Sequence, residues 1–355
     1  MARPACLLTA LLALAAPLHA GGPSTPQAAI DASSAAMFEG DGPRALAALA
    51  AVPDAQWSGK ELAYRQCLQG RFGATPPPAP ASTSIDDIAV RQVLGSYQRY
   101  WWAALREPAQ RAKAESGLLA HLRKQLKVDA KAAPTLDDIE PLVEQTLAAH
   151  GWHAQLGVTP PLRELMLWHA QETRPFVVPL PDGPQPVDVD LLSDFASYGW
   201  SSFARCDRGS NGGWTTDTKL FAVLPLYDGG VDGEDFRVVF LAHEAQHFAD
   251  KQRFRNLANW ELEYRAKLVE LAMADTVRER RLHYFLTSQG DDTNAPHNYA
   301  NRRVIEDLRT RLGASPETVP VAALQAAARA QLQADTQRRL AATPAATSPN
   351  ATQRM

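Results

Sequence analysis

The chain has 355 residues, 45% of them hydrophobic and 21% charged, which is the composition of a soluble globular protein with room for one large or two modest domains. Its formal net charge is -3 and its sequence pI is near 6.3. Without a basic excess, neither nucleic acid nor an anionic lipid surface is expected as a partner.

The opening stretch MARPACLLTALLALAAPLHAGGPS reads as a secretory signal peptide. It has Arg3 near the start, an apolar run over residues 5–18, and small residues around a cleavage point after Ala20. The run is too short for a comfortable membrane span, and no later segment is apolar for long enough to cross a bilayer. Cys6 lies inside the run and not at a lipoprotein-like cleavage point. Residues 1–20 are therefore set apart from the fold, and the mature protein is expected to be exported, periplasmic or secreted, with no integral membrane segment. That leaves Cys67 and Cys206. In an oxidising compartment they can form one disulfide, and as two buried thiols they would fit the sequence equally well.

Residues 21–73 predict a helical N-terminal segment, its apolar periodicity broken at residues 40–43. ATPPPAPASTS, residues 74–84, is a Pro-rich linker. Residues 85–172 read as helical. The Tyr100, Trp101 and Trp102 cluster fits a helix buried on a larger body better than a ligand platform. His150, His153 and His169 have no carboxylate or cysteine at ligand spacing and are read as structural. From about residue 175 the composition turns β-branched and aromatic between Gly, Asp and Pro, so strands are expected just before a second helical stretch. Residues 173–340 are the expected metal-binding domain, and residues 341–355 are expected to form a disordered tail. The fold class is α+β and predominantly helical: a helix pair bearing the active site, a small sheet before it, and a helical N-terminal region.

The informative stretch is VVFLAHEAQHFADK, residues 238–251. Asp232 is the expected N-cap, with Glu234 and Asp235 in the first turn. One helical turn separates His243 from His247, so both imidazoles leave the same side and can bind one metal ion, while Glu244 can reach a water on it as general base. The motif lies in uncharged surroundings, as a buried metal site requires. Catalytic zinc takes three protein ligands and keeps one position open. The extension H-E-x-x-H-x-x-G-x-x-H fails, since position 250 is Asp and position 253 is Arg. NWELEYRAKLVELAMAD, residues 259–275, offers Glu261, Glu263 and Glu270 on a helix that Asn259 can cap.

H-E-x-x-H followed by E-Y-x-A resembles the gluzincin metallopeptidases, a zincin-like group whose third ligand is a glutamate on the helix after the motif. In the branch related to prenyl-protein-processing proteases that stretch is E-F-x-A-D. The resemblance covers residues 235–275 and implies Glu263 as the third ligand, sixteen residues after His247. Glu270 shares the face of Glu263 two turns on, as an alternative ligand or the partner that orients a ligand histidine. Lys267 departs from the pattern: it stands where the related families carry an Asp with that orienting role.

The resemblance implies a zinc peptidase acting on a peptide or protein substrate, and the N-terminal segment makes it an exported one. Zn²⁺ would polarise the scissile carbonyl and acidify its water, with Glu244 carrying the proton. Peptide would add to an exposed sheet edge. KLFAVLPLY is the expected edge strand, because Pro225 lacks the N–H that a central strand needs, and RGSNGGW, residues 208–214, is the expected rim. Donors for a developing oxyanion are sought among His283, Tyr284, His297 and Tyr299, with His297 and Tyr299 preferred for their turn-rich setting. The alternatives from other classes are a non-catalytic zincin-like zinc-binding envelope protein acting in binding or assembly, and a helical interaction protein with a structural metal. The intact Glu244 favours catalysis.

Overall fold

Thr25, Asp41 and Asp87 each place a side-chain oxygen on the free N–H groups of a helix start, and this sets where the N-terminal half breaks into helices. In a computed structural model of the chain, which describes residues 23–73, 85–209, 211–216 and 218–342, that half holds α1 (Pro26–Phe38), α2 (Gly42–Ala50), α3 (Gly59–Arg71), α4 (Ile88–Arg106), α5 (Arg111–Leu126) and α6 (Leu136–Ala149). The expected signal segment, the expected Pro-rich linker and the expected tail from residue 343 onward lie outside the described residues. Residues 341 and 342, expected in the tail, still belong to the last helix.

The aromatic cluster of α4 is a packing element, as expected. Trp101 is fully buried and donates Nε1–H to the Arg163 carbonyl, 2.8 Å away. It belongs to a first hydrophobic core built mainly from α1–α6.

The helical expectation for residues 85–172 fails over its last part. His153 and His169 lie in β1 (His153–Thr159) and β2 (Leu162–Leu180), followed by β3 (Gly183–Tyr198). The cause is two-sided burial. Leu165 and Leu167 enter the first core, while Met166 and Trp168 enter a small cluster on the opposite face. A strand apolar on both faces has no period-2 signal, and its continuous apolar run cannot be told from a buried helix. The expected domain boundary at 172/173 therefore falls inside β2.

After the short helix α7 (Trp200–Ala204) come β4 (Gly213–Thr215) and β5 (Leu220–Val223). The sheet order is β1-β2-β3-β5-β4, with β3 and β5 parallel and the other pairs antiparallel. The expected edge is thus corrected. β5 is interior, Pro225 ends it in a 3₁₀ turn, and β4 is the edge strand. A disulfide joins Cys67 on α3 to Cys206 just after α7.

The second core packs β2, β3 and β5 against the remaining helices. The motif helix begins with a π-helical stretch, Asp235–Ala242, and continues as α8 (His243–Arg253). Asp232 is not its N-cap: it sits in a separate 3₁₀ turn, and the chain enters the helix through Glu234. The Glu234 carboxylate instead accepts from the Asp275 and Thr276 N–H groups, at 2.6 and 2.9 Å, tying the helix start to a distant turn. Then follow α9 (Asn259–Met273), α10 (Arg278–Thr287), α11 (Pro296–Leu312) and α12 (Val321–Ala342). Helix α9 is buried continuously from Glu263 to Ala272, so it is central to this half. Ala258, not Asn259, is its N-cap residue. Among the described residues, no helix is long and apolar enough to cross a membrane.

Candidate metal centre

One turn of α8 separates His243 from His247, and their ring centroids lie 4.6 Å apart at an interplanar angle of 89°. Helix α9 packs against α8 and brings Glu263 to them. Glu263 Oε1 is 3.3 Å from His247 Nε2, and Oε2 is 3.7 Å from His243 Nε2. One ligand atom from each of the three residues lies within 4.8 Å of the other two, so this buried group can hold a metal ion. Two imidazoles and one carboxylate are a zinc-type donor set. Glu263 Oε2 and His247 Nδ1 are both buried without a hydrogen-bond partner. An orphaned buried carboxylate oxygen at the point where two imidazoles converge fits a bound cation.

The other two carboxylates of α9 do different work. Glu261 accepts from the Ala258 N–H at 2.8 Å and pairs with Arg339 at 3.0 Å, away from the histidines. Glu270 is fully buried, and its Oε1 lies 2.6 Å from His243 Nδ1. With Nδ1 so engaged, His243 Nε2 is the nitrogen that faces Glu263. Glu270 thus orients His243, which Lys267 cannot do. Arg281 on α10 holds the other Glu270 oxygen at 2.5 Å. Lys267 itself is buried, with Nζ 3.5 Å from Glu263 Oε2. The pair is therefore internal, and not an exposed contact along the helix.

The electrostatics follow from these contacts. Burial acting alone would raise the Glu263 carboxyl, but the imidazoles of His243, His247 and His297 around it outweigh burial and hold the group far below the usual carboxylate range. Burial likewise opposes ionisation of Glu270, and Arg281 with His243 brings it to about 2. For His243, burial lowers the imidazole while Glu263 and Glu270 raise it, to about 10. Burial pulls the Lys267 ammonium down against the pull of Glu270 and Glu263.

A cleft of about 420 Å³ opens over the group, lined by Trp214, Thr215, Glu244, Lys251, Asn259 and His297. The Thr215 hydroxyl donates to Glu244 Oε2. Thr215 is placed by β4, and β4 can approach the motif helix because residue 213 is glycine. A Cβ there would come within 2.3 Å of both the Phe221 carbonyl oxygen and the Phe240 ring.

Of the four candidate donors, only His297 lies at the cleft. It stands at the start of α11, 59% exposed at the side chain, with Nδ1 2.8 Å from Glu263 Oε2 in a geometry that makes no hydrogen bond. Tyr299 does not line the cleft. Its ring packs edge-on against Trp260 at 5.0 Å, because two residues further along α11 point elsewhere. His283 and Tyr284 lie on α10 outside the cleft, and the Tyr284 ring sits beside Arg281. Sequence reasoning missed Thr215 and Arg281. Neither stands at a motif spacing, and each reaches its partner only through packing.

No protein-family model matches the chain, and no curated protein or solved structure shows detectable similarity to it.

Proposed function

We propose that the protein is an exported zinc-dependent peptidase. The observation that carries this reading is the position of Glu244: a carboxylate, gripped by Thr215, lining a cleft beside a buried His-His-Glu group that can hold a metal ion. A structural metal site has no use for that carboxylate. Zn²⁺ held by His243, His247 and Glu263 would supply Lewis acidity, polarising a carbonyl and acidifying water. Glu244 takes the proton of the attacking water and passes it to the leaving amine, and Thr215 keeps it aimed at the cleft. His297, which lines the cleft, would donate to the oxygen that gains charge.

A peptide substrate would add to the outer edge of β4. The Gly212 carbonyl and the Thr216 N–H bond back to Val223 of β5 and to Lys219 just before it, so the backbone groups of Gly213 and Thr215 face away from the sheet, where the Gly213 N–H donates to Asn211 Oδ1 at 3.3 Å. An extended chain laid there would pass over Glu244. The Cys67–Cys206 disulfide supports an oxidising compartment and with it the export reading. The non-catalytic alternative drew its support from the lysine at position 267. That support weakens because Glu270 orients His243 instead.

The test compares wild type with Glu244→Gln on a mixed library of extended peptides, with new termini read by mass spectrometry and zinc content by elemental analysis. Stoichiometric zinc in both proteins, with cleavage reduced roughly 10²–10⁴-fold in the variant, is the expected result. Equal cleavage by both assigns the activity elsewhere, and no cleavage by either removes the peptidase reading. Zinc that survives His243→Ala combined with His247→Ala would show that the ligand set is wrong.

A further inference from the structure

Lys267 occupies an uncommon position. Its side chain is 2% exposed, and its one ion pair among the described residues runs to Glu263 Oε2, 3.5 Å away. The ammonium otherwise faces aromatic rings, at 5.0 Å from the Phe285 centroid and 5.7 Å from Tyr284. A lysine is rarely buried, and burial of its charge requires a partner. The oxygen it faces is the orphaned acceptor of the ligand set. Behind it, Arg281 balances Glu270. Two buried carboxylates therefore meet two basic side chains, besides the imidazoles around Glu263, before any metal is counted.

We propose that Lys267 is the built-in counter-ion of Glu263. It holds the carboxylate in the ligand position and balances its charge in the metal-free protein. The site then forms before the metal arrives, and it binds the metal less tightly than the same ligands would without the lysine. The reason is Coulombic. A cation 3.5 Å from a ligand oxygen stabilises that oxygen when the site is empty and repels a dication that comes to share it. The structural half of this inference stands on the ion pair alone. The affinity half rests on the reading of His243, His247 and Glu263 as metal ligands. Lys267 is thus a positioning residue, acting through Glu263 and not on substrate.

A double-mutant cycle tests both halves. Lys267→Met, Glu263→Gln and the double variant are melted after dialysis against a chelator, and zinc affinity is measured for wild type and Lys267→Met by competition with a chromophoric chelator. Each single variant is expected to lose melting temperature, because each removes one member of a buried ion pair. The double variant is expected to melt roughly 2–10 °C above the additive expectation, as coupled neighbours do. Should Lys267→Met fail to fold alone, folding of the double variant establishes the same coupling. Zinc affinity of Lys267→Met should rise at least roughly tenfold. A lysine present only for packing would not produce that rise. Additive single effects, or a double variant no better than Lys267→Met, overturn the counter-ion. Unchanged or weaker zinc binding overturns the affinity half. A wild type that binds no zinc removes the metal reading together with that half, and the metal-free cycle still decides the ion pair.

Discussion

Glu164 and Glu270 are both buried carboxylates, yet the Glu164 carboxyl is pushed up to about 7 while that of Glu270 is held at about 2. Glu164, on β2, accepts the backbone N–H groups of Leu165 and Trp200 at 3.1 and 2.8 Å, and burial outweighs those bonds. It serves as a cap on the first turn of α7. Gly199, with φ at +89°, leaves room for it, since a Cβ there would lie 2.2 Å from its Oε1. Glu270 has the same burial but faces Arg281, His243 and Lys267. Burial by itself favours the neutral acid, and a buried carboxylate stays ionised only where the fold supplies cations. The surroundings of Glu263 and Glu270 are built for positive charge. Those of Glu164 are not.

The same contrast divides α9 into two faces. On one, Arg265 is fully buried and complete. It donates to Asp250 at 2.9 Å, Asp335 at 2.7 Å and the Thr336 hydroxyl at 3.0 Å, and so joins α8, α9 and α12. On the other, Glu263 keeps an acceptor without a hydrogen bond. A closed network holds structure together, while an open one has capacity for a ligand.

Breaking the closed face should have the largest effect. Arg265→Met leaves Asp250 buried without its ion-pair partner, while Asp335 keeps Arg338 and Arg339, and is expected to destabilise the fold by about 3–5 kcal/mol in urea unfolding. Zinc binding by the folded fraction should be unchanged. A loss below about 1 kcal/mol would show that the two faces are not distinct in this way.

Next comes Glu164. Its folded-state value lies above the ordinary 4.5, so its contribution is full below pH 4.5 and is lost as pH rises toward about 7. Wild type should lose up to roughly 3 kcal/mol over that interval relative to Glu164→Gln, which carries no titrating group at the site. Parallel stability curves for the two proteins would show that Glu164 is not held neutral.

A smaller effect is expected from Glu270→Gln. The amide still reaches His243 but loses the charge that fixes its orientation, and zinc affinity should fall about 10–100-fold. A loss as complete as that of Glu263→Gln would make Glu270 the direct ligand. The smallest effect belongs to Tyr299→Phe. Because that ring rests on Trp260 outside the cleft, peptide cleavage should change by less than about twofold. A drop comparable to that of a His297 substitution would return Tyr299 to the site.

The two histidines and Glu244 were legible because helical geometry is local: a spacing of four residues fixes a shared face wherever the helix lies. The helical N-terminal region and the helices after residue 259 were legible for the same reason. β2 was not, because packing on both faces erased its alternation, and the edge of the sheet was misplaced because strand order is not written in strand composition.

Local pattern by itself determined which residue types stand one helical turn apart and which segments are helical. Only the tertiary structure decided which of three α9 carboxylates meets the histidines, that Glu270 orients His243, that Thr215 grips Glu244, and that the cysteines pair across 139 residues. Each of these joins side chains remote in sequence. Their proximity follows from how whole helices and strands bury their faces against one another, and that is a property of the assembled cores.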